Sequence, residues 1–348
     1  MLCATSAGAA PAEIISAELS GAIQPQVAVA PTGRIHVTFG QGNAIYHVAS
    51  GDGGRTFSRP VQVGELTKLA LGMRRGPRIS AGAKRLAITA ISHTDGDLHS
   101  WSSADGGLTW KAGVNVNDRP KSAREGLHAM AGDGKGNVFA TWLDLRSNGT
   151  QVWSATSGDG GTTWGSNVLV YESPDGHVCE CCHPSVAMDA QGTVAVMWRN
   201  WLGGARDMYA AMSRDGGKNF AAAQKLGSGT WKLNGCPMDG GAVALDPTGK
   251  LLTVWRREKA VFTTQQSGAE EQLAHSSAQP IIVSGKGGAF VLWESGGGLM
   301  LRKGNTAAIR LTENARFAAA APLPAGGVIV AWEARDKGIA SLLAEVIE

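Results

Sequence analysis

The sequence predicts an all-β repeat protein, and three observations carry that prediction. One eight-residue pattern, Ser-x-Asp-x-Gly-x-Thr-Trp, occurs four times, at Ser50–Phe57, Ser103–Trp110, Ser157–Trp164 and Ser213–Phe220; Asn219 and the two phenylalanines are its only departures. Short runs of alternating apolar residues return at steady spacing, each bounded by glycine-containing turns. Glycine is abundant at 48 of 348 residues and charge is low at 18%, a composition suited to many short strands joined by tight turns.

The repeated octapeptide has a physical reading as a hairpin turn. Its Asp carboxylate can accept backbone N–H groups across its own turn, its Gly supplies positive φ, and its aromatic residue closes between neighbouring strands. One copy would mean little, but four at near-equal intervals mark a repeat fold. The pattern resembles the Asp-box, or BNR repeat, of the sialidase-like β-propellers, over roughly residues 24 to 227. The resemblance implies four-stranded blades around a channel. It implies much less about activity, because a turn motif is scaffolding, and Asp52, Asp105, Asp159 and Asp215 are accordingly expected to be structural.

The strand rhythm continues past the fourth motif. Innermost strands are expected to begin near Gln24-Pro25, Gly76-Pro77, Leu127-His128, His183-Pro184, Cys236-Pro237, Gln279-Pro280 and Arg316-Phe317. Second strands follow over Arg34–Phe39, Arg85–Ala90, Val138–Trp142, Val194–Trp198, Leu251–Trp255, Ala289–Trp293 and Val328–Trp332, ending on an aromatic in every unit but the second. The expectation is a β-propeller of seven blades, with six as the alternative, forming a single domain over residues 12–348. The last unit runs out after its third strand, Gly338–Ile347. Glu13–Ser20 from the N-terminus is expected to supply the missing outer strand and close the ring, which removes exposed sheet edges.

Several function classes are excluded or narrowed by composition. A net charge of +3 with no Lys/Arg block argues against nucleic acid, and no apolar run approaches the roughly 18 residues of a membrane span. Ala7-Gly8-Ala9 before Ala10-Pro11 looks like the end of a secretory signal without its charged and apolar parts, so residues 1–11 read as signal remnant or linker. The expectation is an exported monomer, periplasmic or extracellular, with Cys3 either a remnant or a lipid-modified cysteine.

In such a ring the starts of innermost strands and the ends of second strands meet at one mouth of the channel. Arg75, Arg78, His128, Cys182, His183, Cys236 and Asp239 come from the first set. His93, Asp144, Arg146, Arg199, Asn200, Arg256, Glu294 and Glu333 come from the second. The plainer alternative is that these charges are simply solvated at a wet mouth.

The most specific local feature is His177-Val-Cys179-Glu-Cys181-Cys182-His183-Pro184, followed later by Gly235-Cys236-Pro237. Cys182 and Cys236 fall near equivalent positions on adjacent blades and are expected to approach one another. Three readings compete. A disulfide between Cys236 and one of the other three suits an exported protein. A metal site of Cys179, Cys181, Cys182, His183 and Cys236 would favour copper(I) or zinc, although Cys-x-Cys-Cys is tighter than the usual zinc knuckle. Thiol redox chemistry is the third, since adjacent cysteines can cycle, although no thioredoxin-like pattern accompanies them. The stretch from residue 177 to 257 also resembles a group of exported bacterial BNR-repeat proteins, a likeness that transfers no reaction.

The sialidase resemblance implies a late Tyr nucleophile, an Asp acid/base and three Arg clamping a carboxylate. The tyrosines here are Tyr46, Tyr171 and Tyr209, none late in the chain, and the order Arg-Ile-Pro is absent. An ordinary sialidase is therefore not expected. A different glycoside hydrolase could draw its acid and base from Asp144, Asp239, Glu294 and Glu333, and hold a ligand with Arg146, Arg199, Arg256, His128 and Trp201. Trp201 and Trp231 suit sugar stacking or plain packing between blades. The leading expectation is a propeller that binds a metal ion, small molecule or glycan around the Cys/His cluster; the hydrolase is the alternative.

Overall fold

The computed structural model describes residues 10–15, 19–265, 269–336 and 339–348. Cys3, Ala7 to Ala9 and Gly338 lie outside them. Seven four-stranded antiparallel sheets make a seven-bladed β-propeller. The first strand of the chain, β1 (Ala12–Glu13), belongs to the last blade. Blade 1 is β2 (Ile23–Val29), β3 (Ile35–Gln41), β4 (Ala44–Ser50) and β5 (Val61–Glu65). Blade 2 is β6 (Arg78–Ala81), β7 (Leu86–Ile91), β8 (Leu98–Ser103) and β9 (Lys111–Ala112). Blade 3 is β10 (His128–Gly132), β11 (Val138–Asp144), β12 (Gln151–Ser157) and β13 (Val168–Tyr171). Blade 4 is β14 (Ser185–Met188), β15 (Val194–Arg199), β16 (Met208–Ser213) and β17 (Gln224–Lys225). Blade 5 is β18 (Ala242–Leu245), β19 (Leu251–Arg257), β20 (Ala260–Gln265) and β21 (Glu271–His275). Blade 6 is β22 (Ser277–Gly285), β23 (Gly288–Ser295), β24 (Gly298–Lys303) and β25 (Ile309–Thr312). Blade 7 is β26 (Arg316–Pro322), β27 (Val328–Asp336), β28 (Ile339–Ile347) and β1.

The second strand of each blade has a neighbouring sheet on both faces, so it reads as a nearly continuous apolar run rather than an alternation. β11 and β15 are buried along their whole length. Their terminal aromatics are wedges against the preceding blade. Trp198 packs on Leu127, Phe139, Leu143 and Val152 of blade 3, and Trp332 on Phe290, Leu292 and Leu299 of blade 6. Blade 2 has Ala90 at that position. There Trp101 of β8 fills the junction, lying so close to Gly64 of β5 that a Cβ would stand 2.5 Å from its indole nitrogen.

The ring closes through β1, with Ala12 opposite Ala344 and Glu13 opposite Leu343, and Ile14 N–H donates to the Leu342 carbonyl at 2.9 Å. The expected N-terminal strand thus closes the ring, starting one residue earlier at Ala12; residues 16–18 of the expected Glu13–Ser20 lie outside the described residues. Ile14 and Ile15 both drop into the junction of blades 7 and 1, in one cluster with Ile35, Val37, Phe39 and Ile329.

The four octapeptide turns are the same structure. Ser50 Oγ donates to Asp52 Oδ1 at 2.7 Å, which also accepts the N–H groups of Arg55 and Thr56 at 3.1 and 3.0 Å. Asp105, Asp159 and Asp215 repeat the pattern, with Asn219 Nδ2 on Asp215 Oδ2 at 2.7 Å in place of the Thr hydroxyl. These bonds, led by the Thr56 and Thr109 hydroxyls, hold Asp52 and Asp105 well below the usual carboxylate range. The turns meet those joining the first two strands of the same blade: Gly160 N–H donates to the Gly136 carbonyl in blade 3 and Gly216 N–H to the Gly192 carbonyl in blade 4, both at 3.0 Å. All these turns therefore share one rim. The connections that carry the candidate chemistry open on the other, and innermost strands between them line a channel of ≈ 730 Å³.

Two predictions follow from this packing. Trp332→Ala should cost about 3–5 kcal/mol, because it empties a full wedge position; urea unfolding with an unchanged m-value would measure it. The second concerns His36 and His47, which are stacked and joined at 3.0 Å between Nδ1 and Nε2. Burial lowers His36 to about 3 and His47 to about 4, helped by Arg34. In the unfolded chain both would protonate near ~6.5. The pair's contribution to stability is thus full above ~6.5 and falls away as pH drops toward the folded values, by up to ~1.4 kcal/mol per pH unit for each proton excluded. A urea midpoint that stays flat from pH 6.5 to 4.5 would contradict this.

Candidate metal centre

The polar residues at the channel mouth are mostly committed to holding backbone. Three innermost strands begin with a bulge built on a left-handed, non-glycine residue: Gln24 (φ 59), Gln279 (φ 52) and Phe317 (φ 49). That conformation costs a residue with a Cβ about 1–2 kcal/mol. Each bulge N–H is caught by a carboxylate contributed by another blade or connection. Gln24 donates to Glu333 Oε1 at 2.8 Å, Gln279 to Asp239 Oδ2 at 2.7 Å and Phe317 to Glu294 Oε1 at 2.7 Å. Burial pushes all three carboxyls up. Asp144, fully buried, accepts from Ser122 Oγ and Trp142 Nε1, each at 2.7 Å, and pairs with Arg146 Nε at 2.9 Å. The four carboxylates expected as acid and base are thus all engaged in structural bonds.

Arg74 crosses the mouth. It leaves the connection between β5 and β6 and reaches blades 6 and 7, where Nε donates to Gln279 Oε1 at 2.8 Å and Nη1 to the Ala318 carbonyl at 2.7 Å. Beside it Arg78 donates to the carbonyls of Gly76 and Pro77 at 3.0 and 3.2 Å and to that of Arg74. His183 completes this end of the channel. Burial, then Arg74 and Arg78, lower it to about 3, so it is neutral.

The sulfur-rich centre lies to one side, on blade 4. Residues 172–184, 200–207 and 226–241 meet there, three connections at the same rim. Backbone contacts tie them together: Val178 bridges Asn200, Ala205 bridges Lys232, and Arg206 N–H donates to the Trp231 carbonyl at 2.8 Å. Asp207 locks the arrangement by accepting Trp231 N–H at 2.8 Å while pairing with Lys225 at 2.9 Å. Cys179 N–H donates to the Arg199 carbonyl at 3.0 Å and the chain then turns tightly, so three cysteines point inward together.

Cys179, Cys181 and Cys182 place their sulfurs within 4.8 Å of one another. Cys179 Sγ lies 3.6 Å from that of Cys181 and 3.5 Å from that of Cys182. A disulfide would need about 2.05 Å, whereas two thiolates sharing a tetrahedral ion at ~2.3 Å stand ~3.8 Å apart. Arg206 Nη1 donates to Cys179 Sγ at 2.8 Å, and its guanidinium stacks on Trp201 at 4.4 Å. Met238 packs against the cluster of three cysteines. Burial opposes ionisation of Cys182, but hydrogen bonds from Cys179 and Cys181 and the nearby Arg199 hold its thiol well below the ordinary value.

The other expected site residues are elsewhere. Cys236 is exposed and its thiol is free, outside the sulfur group. The expected approach to Cys182 fails because blade 5 begins its innermost strand only at Ala242, leaving Cys236 in the connection ahead of it. His183 also stands outside the group; its Nδ1 accepts Gly240 N–H at 3.3 Å. His128 is buried between blades 2 and 3 with Nε2 3.1 Å from Thr89 Oγ1. The three arginines do not form one clamp. Arg146 is held by Asp144 and Asp118 and stacks on Trp153 at 3.7 Å. Arg199 is buried and donates to the carbonyls of Asp239, Arg206 and Arg256. Arg256 and Arg199 both face the Trp231 ring, at 5.6 and 5.3 Å. Trp201 lies between Arg206 and His177. The residues that sequence reading did not single out are Arg74 and Met238; Arg206 figured there only within the stretch that resembles exported BNR-repeat proteins, with no role given to it. Met238 had a local signal in its place directly after Cys236-Pro237.

No protein-family model matches the sequence, and no curated protein matches it. Solved structures align over nearly the whole chain. An α-L-arabinanase from Penicillium chrysogenum is 16% identical with a TM-score of 0.55, covering 97% of both chains. A polysaccharide lyase, an ulvan lyase, is 10% identical with a TM-score of 0.59 and covers 97% of both. A Hadza microbial sialidase is 13% identical with a TM-score of 0.57, covering 97% of this chain and 68% of its own. The neighbours are sialidase, arabinanase and lyase β-propellers. At such identities the likeness establishes the ring, and the chemistry rests on the residues described above.

The structural role of the mouth carboxylates is testable. Glu333→Gln keeps an acceptor for Gln24 N–H and should leave stability nearly unchanged. Glu333→Ala orphans that buried N–H and should cost about 1–3 kcal/mol by urea unfolding. Equal losses in both variants would show that charge, not the backbone bond, matters.

Proposed function

We propose that this protein is an exported β-propeller that binds a metal ion, copper(I) or zinc, through Cys179, Cys181 and Cys182. The observation that carries the reading is the gathering of three buried thiols within 4.8 Å beside the Arg206 guanidinium. Thiols in apolar surroundings resist ionisation, so a cation beside them and an ion among them supply what burial removes. Separations of 3.5 and 3.6 Å suit a shared ion better than a bond between sulfurs. The hydrogen bonds and bridges around Asp207 tie together the three connections that carry and surround these cysteines, the kind of outer support that orients metal ligands. A glycoside hydrolase finds less support. Its fold neighbours include such enzymes, but Asp144, Asp239, Glu294 and Glu333 already accept hydrogen bonds from the protein's own amides and side chains.

The test is metal content by mass spectrometry with thiols titrated on the same sample. The expected result is near one copper or zinc per chain, with the cluster thiols reactive only after chelation. Cys179→Ser and Cys182→Ser should lose the metal, and Cys236→Ser should keep it. Reduced protein that takes up neither ion on anaerobic titration would reject the reading.

A further inference from the structure

The donors around this centre are more selective than a count of cysteines suggests. Both nearby imidazoles are turned to other work. His183 accepts Gly240 N–H, and His177 stacks on Trp201 with ring centroids 5.8 Å apart. Among the described residues, only the three cysteines form a group able to hold a metal ion through thiol, imidazole or carboxylate atoms. The further side chain packed on them is Met238, a thioether.

Met238 is held there at a cost. Its φ of 55 is left-handed, a conformation that glycine would adopt more cheaply. The mouth network enforces it: the Met238 carbonyl accepts Gln279 Nε2 at 2.9 Å, and the adjoining Asp239 accepts Gln279 N–H. Gln279 is in turn gripped by Arg74. The bonds that shape the channel mouth thus also seat a methionine against the cysteine cluster.

Charge and hardness point the same way. Thioether is a soft ligand that accompanies copper(I), whereas closed zinc sites take a fourth thiolate, an imidazole or a carboxylate. Cys179 and Cys182 are buried almost completely, which keeps water away. Three thiolates on a monovalent ion carry a charge of −2, and two guanidinium groups, Arg206 and Arg199, stand near the sulfurs to offset it.

We propose that the centre is a cuprous site, in which the thiolates of Cys179, Cys181 and Cys182 share one copper(I) and the Met238 thioether completes an all-sulfur set that disfavours zinc. The inference rests on the metal-binding reading above and goes further by naming the ion and its fourth contact. The experiment is anaerobic titration of the reduced full-length chain, with cuprous ion delivered from its bicinchoninate complex and, separately, with zinc sulfate against a zinc-sensitive dye. Copper(I) should be withdrawn from the chelator in a 1:1 ratio and should not be displaced by excess zinc. Met238→Leu, which keeps size and apolar character, should weaken copper(I) on the order of tenfold while leaving the thermal midpoint and zinc response unchanged. X-ray absorption at the copper edge should show sulfur neighbours alone. Tighter zinc than copper(I) binding, or an unchanged copper affinity in Met238→Leu, overturns this proposal and leaves a metal site standing. Failure to bind either ion overturns both.

Discussion

In a ring of sheets no blade can bury its own apolar faces. Each second strand is covered on one side by the blade before it and on the other by the blade after it, so seven junctions must all fit a single turn around the axis. The aromatic wedges Phe39, Trp142, Trp198, Trp255, Trp293 and Trp332 set the spacing of six of those junctions, and Trp101 against Gly64 supplies the seventh by a different route. The short pairing of β1 with β28 then matters beyond its length, because it carries Ile14 and Ile15 into the last junction and removes the remaining open edge.

Closure of the ring brings seven strand starts to one mouth, and the polar side chains there are consumed by that geometry. Tight bulges at Gln24, Gln279 and Phe317 leave N–H groups pointing at the axis, and an unsatisfied buried N–H is expensive. Glu333, Asp239 and Glu294 answer that need, and Arg74 is held among the charges they introduce. A mouth that resembles an active site as a set of residue names is a framework when its hydrogen bonds are followed. The three clustered cysteines lie instead on blade 4, where long connections leave side chains not needed to form the ring.

Much of this was legible in order along the chain. The octapeptide turns, the aromatic-ended second strands and the count of seven all come from local pattern, because each is satisfied by residues within a few positions of one another. The alternation of strand and turn even located Asp144, Glu294 and Glu333 at the mouth. What that pattern could not say was what those carboxylates hold, since their partners Ser122, Phe317 and Gln24 are set by ring closure and loop path. The N-terminal closing strand was legible too, but not that Ile14 and Ile15 are buried in the junction of blades 1 and 7, a contact that ring closure sets.

The cysteines divide along the same line. Sequence alone determined that Cys179, Cys181 and Cys182 would share a neighbourhood, because a tight turn cannot separate residues so close in the chain. It also suggested Cys236 and His183 as companions, from equivalent positions on adjacent blades and from adjacency. Tertiary structure decided otherwise: a late start to blade 5 leaves Cys236 exposed, and His183 is turned to Gly240 at the channel end. In their place it brought Arg206 and Met238 from two separate connections, a meeting fixed by how blade 4's loops pack and by nothing in the spacing of residues.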